Sequence, residues 1–259
     1  MQAYILPTVS MMTLGKDVCV AVYFVGCDFK CPFCFTPHLL QSYARYLIDL
    51  REIQKLIEQH KPYITTVLLT GGEPLLQRPA AVALAQLSKK LGLRVAVHTN
   101  GSKPSALKSL VEAQLVDLVI WDLKAPPRED LFEQVTKSKT FFVSTATILN
   151  NVQEMLDLLI KSKSLLDIEV RTTIVPGLLY KKEDLFAMAQ FIAPLQSKWI
   201  LQPFNPYKEL ESKTLQGVHE PSDEFMKTLR DVIMKEFPAQ WVEVHTLEDN
   251  YLKDLVVEQ

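Results

Sequence analysis

Val18-Cys19-Val20-Ala21-Val22-Tyr23-Phe24-Val25-Gly26 runs directly into Cys27-Asp28-Phe29-Lys30-Cys31-Pro32-Phe33-Cys34. The first nine residues are apolar, rich in β-branched and aromatic types, and end in glycine, the pattern of a buried strand. Three of the four cysteines then fall within eight residues, on a loop just past the strand's C-terminal end. In parallel α/β folds that is where ligands and chemistry collect. Cys19 lies inside the strand and reads as a small buried apolar residue.

Three crowded thiols restrict the chemistry. Thiolates are soft ligands for zinc, copper(I) or iron–sulfur clusters. A structural zinc ion wants four ligands, and no second cysteine pair exists in the chain, so zinc would need His38 as its fourth. A disulfide would leave one thiol over, and nothing suggests a secreted chain. Three thiolates on a four-iron cluster leave one iron open to a non-protein ligand, as a catalytic centre requires.

The 259 residues are 48% hydrophobic and 22% charged, with a net charge of −2. This composition suits one large domain, expected over 1–259 with a core at about 16–206 and a C-terminal helix and strand in 207–259. The charge balance gives no general attraction to nucleic acid. No run of about 18 apolar residues occurs, and the N-terminus lacks the pattern of a signal peptide, so no membrane is expected and a cytoplasmic protein is.

Strand and helix patterns alternate about six times. Apolar runs at 64–70, 93–98, 115–122, 168–175 and 199–204 read as strands. Helical spacing covers 47–60, 80–91, 104–113, 129–135, 151–162 and 183–192. Ser222 caps a last helix ending near Lys235, and 240–245 reads as a closing strand. The alternation predicts an α/β fold with a mainly parallel sheet and right-handed crossovers.

Polar residues cluster where these strands end. Thr70-Gly71-Gly72-Glu73-Pro74 follows the second strand, and its glycines would let backbone approach a ligand closely. His98-Thr99-Asn100-Gly101 ends the third, Asp122-Leu123-Lys124 the fourth, Arg171 through Pro176-Gly177 the fifth, and Gln202-Pro203-Phe204-Asn205 the sixth. Arg171, in an otherwise apolar strand, needs a carboxylate partner. The interiors of the strands carry few such groups, which points to one active face.

Cys-x3-Cys-x2-Cys with Phe33 before the last cysteine, followed by Gly-Gly-Glu, resembles the signature of the radical S-adenosylmethionine (radical SAM) superfamily. The resemblance extends from about Lys16 to Pro206. It implies a partial (β/α)6 barrel of the TIM type, with a [4Fe–4S] cluster on Cys27, Cys31 and Cys34. In that family the cluster binds SAM and cleaves it reductively to a 5′-deoxyadenosyl radical that abstracts hydrogen. The resemblance further implies SAM contacts from Phe33, Gly71, Gly72, Glu73, His98, Asn100, Asp122, Lys124, Arg171 and Asn205. Phe33 would flank the adenine and Lys124 would meet the SAM carboxylate.

The strand-end motifs are similar to those of glycyl-radical activating enzymes, the activators of pyruvate formate-lyase and anaerobic ribonucleotide reductase. That subgroup implies a glycyl-radical protein as substrate and flavodoxin or ferredoxin as electron donor. Three positions depart from it. Cys34-Phe35-Thr36-Pro37 stands for Cys-His-Asn, Met12-Thr13-Leu14-Gly15-Lys16 for an Asp/Trp-Pro-Gly element, and His98 for an acid at a cation site. The alternatives are a radical SAM enzyme acting on a small molecule, nucleotide or tRNA, as in deazapurine formation, and a structural zinc protein.

Overall fold

The computed structural model describes residues 1–40, 44–207 and 209–247. The parallel strands are β2 (Asp17–Phe24), β4 (Thr66–Gly71), β5 (Arg94–Thr99), β6 (Leu118–Asp122), β7 (Asp167–Ile174), β8 (Lys198–Pro203) and β9 (Val242–Val244), each hydrogen-bonded to the next in that order. Two further strands extend the sheet on the β2 side. β1 (Gln2–Leu14) lies antiparallel to β2, and β3 (Leu47–Asp49) antiparallel to the start of β1. Among the described residues, the nine-stranded order β3-β1-β2-β4-β5-β6-β7-β8-β9 has two edges and does not close.

The helices are α1 (Leu50–His60), α2 (Arg78–Lys90), α3 (Pro104–Glu112), α4 (Glu129–Thr136), α5 (Thr145–Ser162), α6 (Lys182–Ile192) and α7 (Asp223–Glu236). The expected α/β partial barrel, with its six strand–helix alternations from β2 to β8, is what the chain forms. Ser222 caps α7 by accepting the Phe225 N–H, and β9 is the expected last strand.

Three elements differ from the sequence reading. The long strand β1 carries no clean alternation, because one half is buried and the other half-exposed. It forms through pairing with β2, a contact that local pattern cannot report. Leu47–Asp49 is a strand rather than the first turn of α1, since it pairs with Gln2, Ala3 and Tyr4. Asp49 then caps α1 by accepting the Arg51 N–H. Helix α5 begins six residues before the expected start, where the Ser144 hydroxyl accepts the Thr147 N–H as N-cap.

The two faces of the sheet are filled differently. Val20, Val22, Phe24, Val67, Leu69, Val95, Val97 and Val119 pack in the large core that includes the helices' apolar faces. The alternate positions Cys19, Ala21, Tyr23, Leu68, Ala96 and Ile120 join Leu6, Leu14 and Leu39 in a second, inner core. A strand's period of two therefore sends Thr70, His98 and Asp122, each two residues beyond an inner apolar residue, to the same inner face. The fold places the polar ends of the strands around one hollow.

Candidate active site

A cavity of about 980 Å3, its open mouth included, lies at the C-terminal ends of the parallel strands. All three loop cysteines line it, together with Phe33, Gly71, Gly72, His98, Asn100, Asp122, Lys124, Arg171 and Asn205. Twelve of the thirteen expected site residues thus meet in one place. Phe29, Thr36, Thr70, Thr99, Thr173 and Gln202 also line it. Thr70 and Thr173 lie on the inner face, a signal that strand alternation carries once the buried face is known.

Glu73 is the exception. It is fully buried outside the lining, and its carboxylate accepts the Leu75 N–H, the Thr99 hydroxyl and the Asn100 N–H at 3.0, 2.9 and 2.7 Å. Burial, reinforced by the Asp28 charge, pushes this carboxyl up to about 8, against those three donors. Its side chain braces the ends of β4 and β5 beneath the cavity.

The two glycines line the cavity and also allow a close approach of backbone to backbone. Gly71 has φ +114°, and a Cβ there would sit 2.3 Å from the Phe24 carbonyl oxygen. A Cβ on Gly72 would sit 2.3 Å from the Gly26 carbonyl oxygen. The Gly72 and Glu73 N–H groups donate to Phe24 and Gly26, each at 2.8 Å. Gly-Gly is needed so that this backbone can lie against the start of the cysteine loop.

Cys31 is buried, while Cys27 and Cys34 are half-buried. Burial raises all three thiols. Cys31 reaches about 12 despite the Lys124 charge, and Asp28 adds to the rise at Cys27. Polar groups stand at two of the sulfurs. The Phe29 N–H donates to Cys27 Sγ at 3.4 Å, the Asn100 amide to the same sulfur at 3.8 Å, and the Thr36 hydroxyl lies 3.6 Å from Cys34 Sγ. These groups favour sulfur carrying negative charge, and metal coordination deprotonates a thiol outright. Three thiols on one loop are the donor type that an iron–sulfur cluster takes. His38, the fourth ligand a zinc ion would need, does not line this cavity.

A chain of polar contacts runs through the same cavity. His98 Nδ1 is 3.2 Å from the Thr70 hydroxyl, and its Nε2 is 3.0 Å from Asp122. The Lys124 ammonium donates to the same Asp122 oxygen at 2.6 Å and lies 5.9 Å from the Phe33 ring centre. Burial works against the Asp122 charge, yet Lys124 and His98 hold its carboxyl well below the usual range. Arg171 is buried and paired with Glu169, which Lys198 also contacts at 2.9 Å. The partner carboxylate that Arg171 required is supplied by its own strand.

Residues 22–192 match the family model described as the radical SAM superfamily. The chain belongs to the radical SAM superfamily. Among its relatives is a protein of Methanocaldococcus jannaschii provisionally named a glycyl-radical enzyme activating enzyme. It is 25% identical over 237 residues, 91% of this chain and 93% of that one. A 7-carboxy-7-deazaguanine synthase of Hyperthermus butylicus is 38% identical over 86 residues, 33% of this chain and 36% of its own. The fold is similar to that of Streptococcus suis SuiB bound to S-adenosylmethionine, with TM-score 0.61 and 14% identity. That alignment covers 85% of this radical SAM chain but 48% of SuiB, so the chain spans about half of that structure. No helix among the described residues is long and apolar enough to cross a membrane.

Proposed function

We propose that this radical SAM protein is a single-domain enzyme that activates a glycyl-radical protein. One observation carries the reading: three thiols on one loop face the polar ends of the parallel strands across one cavity. Cys27, Cys31 and Cys34 would hold a [4Fe–4S] cluster, with SAM beside it. When bound, the cluster supplies the electron that cleaves SAM to a 5′-deoxyadenosyl radical.

The chain's own part is to bind, orient and exclude water. Lys124, part-buried on the cavity wall and partnered by Asp122, is placed to meet the SAM carboxylate. Phe33, on the same loop as the thiols, offers a ring face for adenine. Asn100 and His98 present polar atoms from the end of β5, and Asn205 from the segment after β8. Arg171 is neutralised by Glu169, so it enters as a hydrogen-bond donor on the cavity wall rather than as a bare charge. With His98 between Thr70 and Asp122, the position is filled by an imidazole where the subgroup's usual acid would serve a cation.

The choice of a protein substrate rests on similarity along nearly the whole chain to a relative named for glycyl-radical activation. A second reading, modification of a small molecule or nucleotide of the deazapurine type, is favoured by the higher identity over 86 residues to a deazaguanine synthase.

The test is anaerobic reconstitution with iron and sulfide, then low-temperature EPR of the reduced protein with and without SAM. A [4Fe–4S]+ signal that SAM perturbs, with 5′-deoxyadenosine formed, supports the chemistry. A glycyl radical appearing on an added glycyl-radical enzyme supports the substrate. Formation of a deazapurine-type product from a small molecule or nucleotide, without any such radical, would favour the second reading. Zinc uptake without the signal would overturn both.

A further inference from the structure

Two phenylalanines of this chain stand in water. Phe141 and Phe142 are 95% and 90% exposed, with ring centres 5.0 Å apart in an edge-to-face contact. Hiding apolar rings from water is favourable, so two adjacent rings left in solvent mark a surface shaped for a partner.

The rings are carried on a fixed turn. The Thr140 hydroxyl accepts the Phe142 and Val143 N–H groups at 3.3 and 3.1 Å, and the Thr140 N–H donates to the Val143 carbonyl at 2.9 Å. Glu133 of α4 anchors both sides, accepting the Lys139 N–H at 2.9 Å and the Thr145 hydroxyl at 3.1 Å. Helix α4 in turn rests on the cysteine loop. The Lys30 N–H donates to the Thr136 carbonyl at 2.8 Å, and Phe29 packs edge-on against Phe132 at 5.9 Å.

Apart from Glu133, whose carboxylate is engaged in holding the turn, the charged groups of the tip are basic. Lys30, Lys137 and Lys139 are exposed, and none forms an ion pair among the described residues. Residues 134–153 contain no Asp or Glu, in a chain whose net charge is −2. Such a patch attracts an acidic surface.

We infer that the Phe141–Phe142 tip, with Lys30, Lys137 and Lys139, is the docking surface for an acidic protein that delivers one electron to the cysteine loop. The inference rests on the reading above, in which the three thiols hold a cluster that must be reduced. A molecule that gives up hydrogen has to enter the cavity, and none of these five residues lines it. An electron need only reach the loop. Lys30 stands between Cys27 and Cys31, and Phe29 beside it touches both α4 and the cavity. The carrier, a reduced low-potential flavoprotein, loses one electron and the cluster gains it; no bond is made or broken. The lysines steer the encounter and the two rings form its apolar centre.

The experiment uses the reconstituted enzyme and reduced flavodoxin as probe, following bleaching of the cluster by anaerobic stopped flow at several salt concentrations. The Phe141→Ser/Phe142→Ser variant should lower the second-order rate about tenfold. The Lys30→Gln/Lys137→Gln/Lys139→Gln variant should lower it several-fold at low salt and flatten its salt dependence. Both should keep wild-type iron content and wild-type reduction by dithionite, which needs no docking surface. Flavodoxin rates unchanged in both variants would overturn the inference. So would normal flavodoxin rates with impaired activation of a glycyl-radical protein, which would make the tip a substrate dock. A wild-type protein that assembles no cluster would instead remove the reading beneath it.

Discussion

The Glu73 carboxylate accepts the backbone N–H of Asn100 at 2.7 Å, tying the end of β4 to the end of β5. The same carboxylate holds the Thr99 hydroxyl and the Leu75 N–H. Glu73→Ala would leave three buried donors without an acceptor, at about 1–3 kcal/mol each. A chain of this size loses roughly 2–4 °C of melting temperature per kcal/mol. Thermal unfolding should therefore move down by about 6 °C or more, and SAM affinity should fall because Asn100 is no longer positioned. A melting temperature equal to wild type would refute the bracing role.

The same group makes stability depend on pH. Burial and the Asp28 charge raise Glu73 from 4.5 to about 8, so the folded chain holds this proton more tightly than the unfolded one. The stability it contributes is complete below pH 4.5 and is lost as pH rises to about 8. Urea unfolding of wild type, compared with Glu73→Gln, should show a difference in slope between pH 5 and 8 on the order of 3 kcal/mol in total. Parallel curves for the two proteins would show that Glu73 does not titrate in that window.

Cys27→Ala, Cys31→Ala and Cys34→Ala should each abolish cluster loading and SAM cleavage, because a thiolate ligand is lost. Cys19→Ser should retain iron, since Cys19 is buried within β2, in the inner core away from the cavity. Iron and sulfide analysis after reconstitution separates the two cases. Loss of iron on changing Cys19 would mean that the ligands are wrongly chosen.

Thr36 stands where the activating subgroup usually has a different residue, and its hydroxyl lies 3.6 Å from Cys34 Sγ. A hydrogen bond to a ligand sulfur favours the more negative, reduced cluster. If that preference is worth about 1 kcal/mol, Thr36→Val should lower the midpoint potential by roughly 40 mV. An EPR-monitored redox titration reads this directly. A potential unchanged within error would show that Thr36 orients the loop without tuning the cluster.

Gly101 has φ +84°, and a Cβ there would lie 2.3 Å from Trp121 Nε1. Gly101→Ala combines a left-handed backbone with a clash against a fully buried ring. It should cost several kcal/mol and release the loop that carries Asn100. Denaturant unfolding gives the cost, and a loss below about 1 kcal/mol would mean that Trp121 moves aside.

The sequence by itself determined the family and the strand–helix repeat. Spacing set the three thiols on one loop, because Cys27, Cys31 and Cys34 are local to each other. Hydrophobic periodicity set the order of strands and helices, because a buried parallel strand must be apolar on both faces. Polar residues at the strand ends were legible for the same reason: they interrupt runs that otherwise have no polar groups. Only the tertiary structure decided what those residues meet. Strand β1 exists through pairing with β2, and β3 through pairing with β1, so neither is written in local pattern. Glu73 turned inward, and the glycines beside it lie against the start of the cysteine loop, through partners (Asn100 and the carbonyls of Phe24 and Gly26) that are 27 to 48 residues away in the chain. Arg171 found its carboxylate two residues back on its own strand. Such contacts depend on register across the sheet, and register is fixed only when every strand has been laid beside its neighbour.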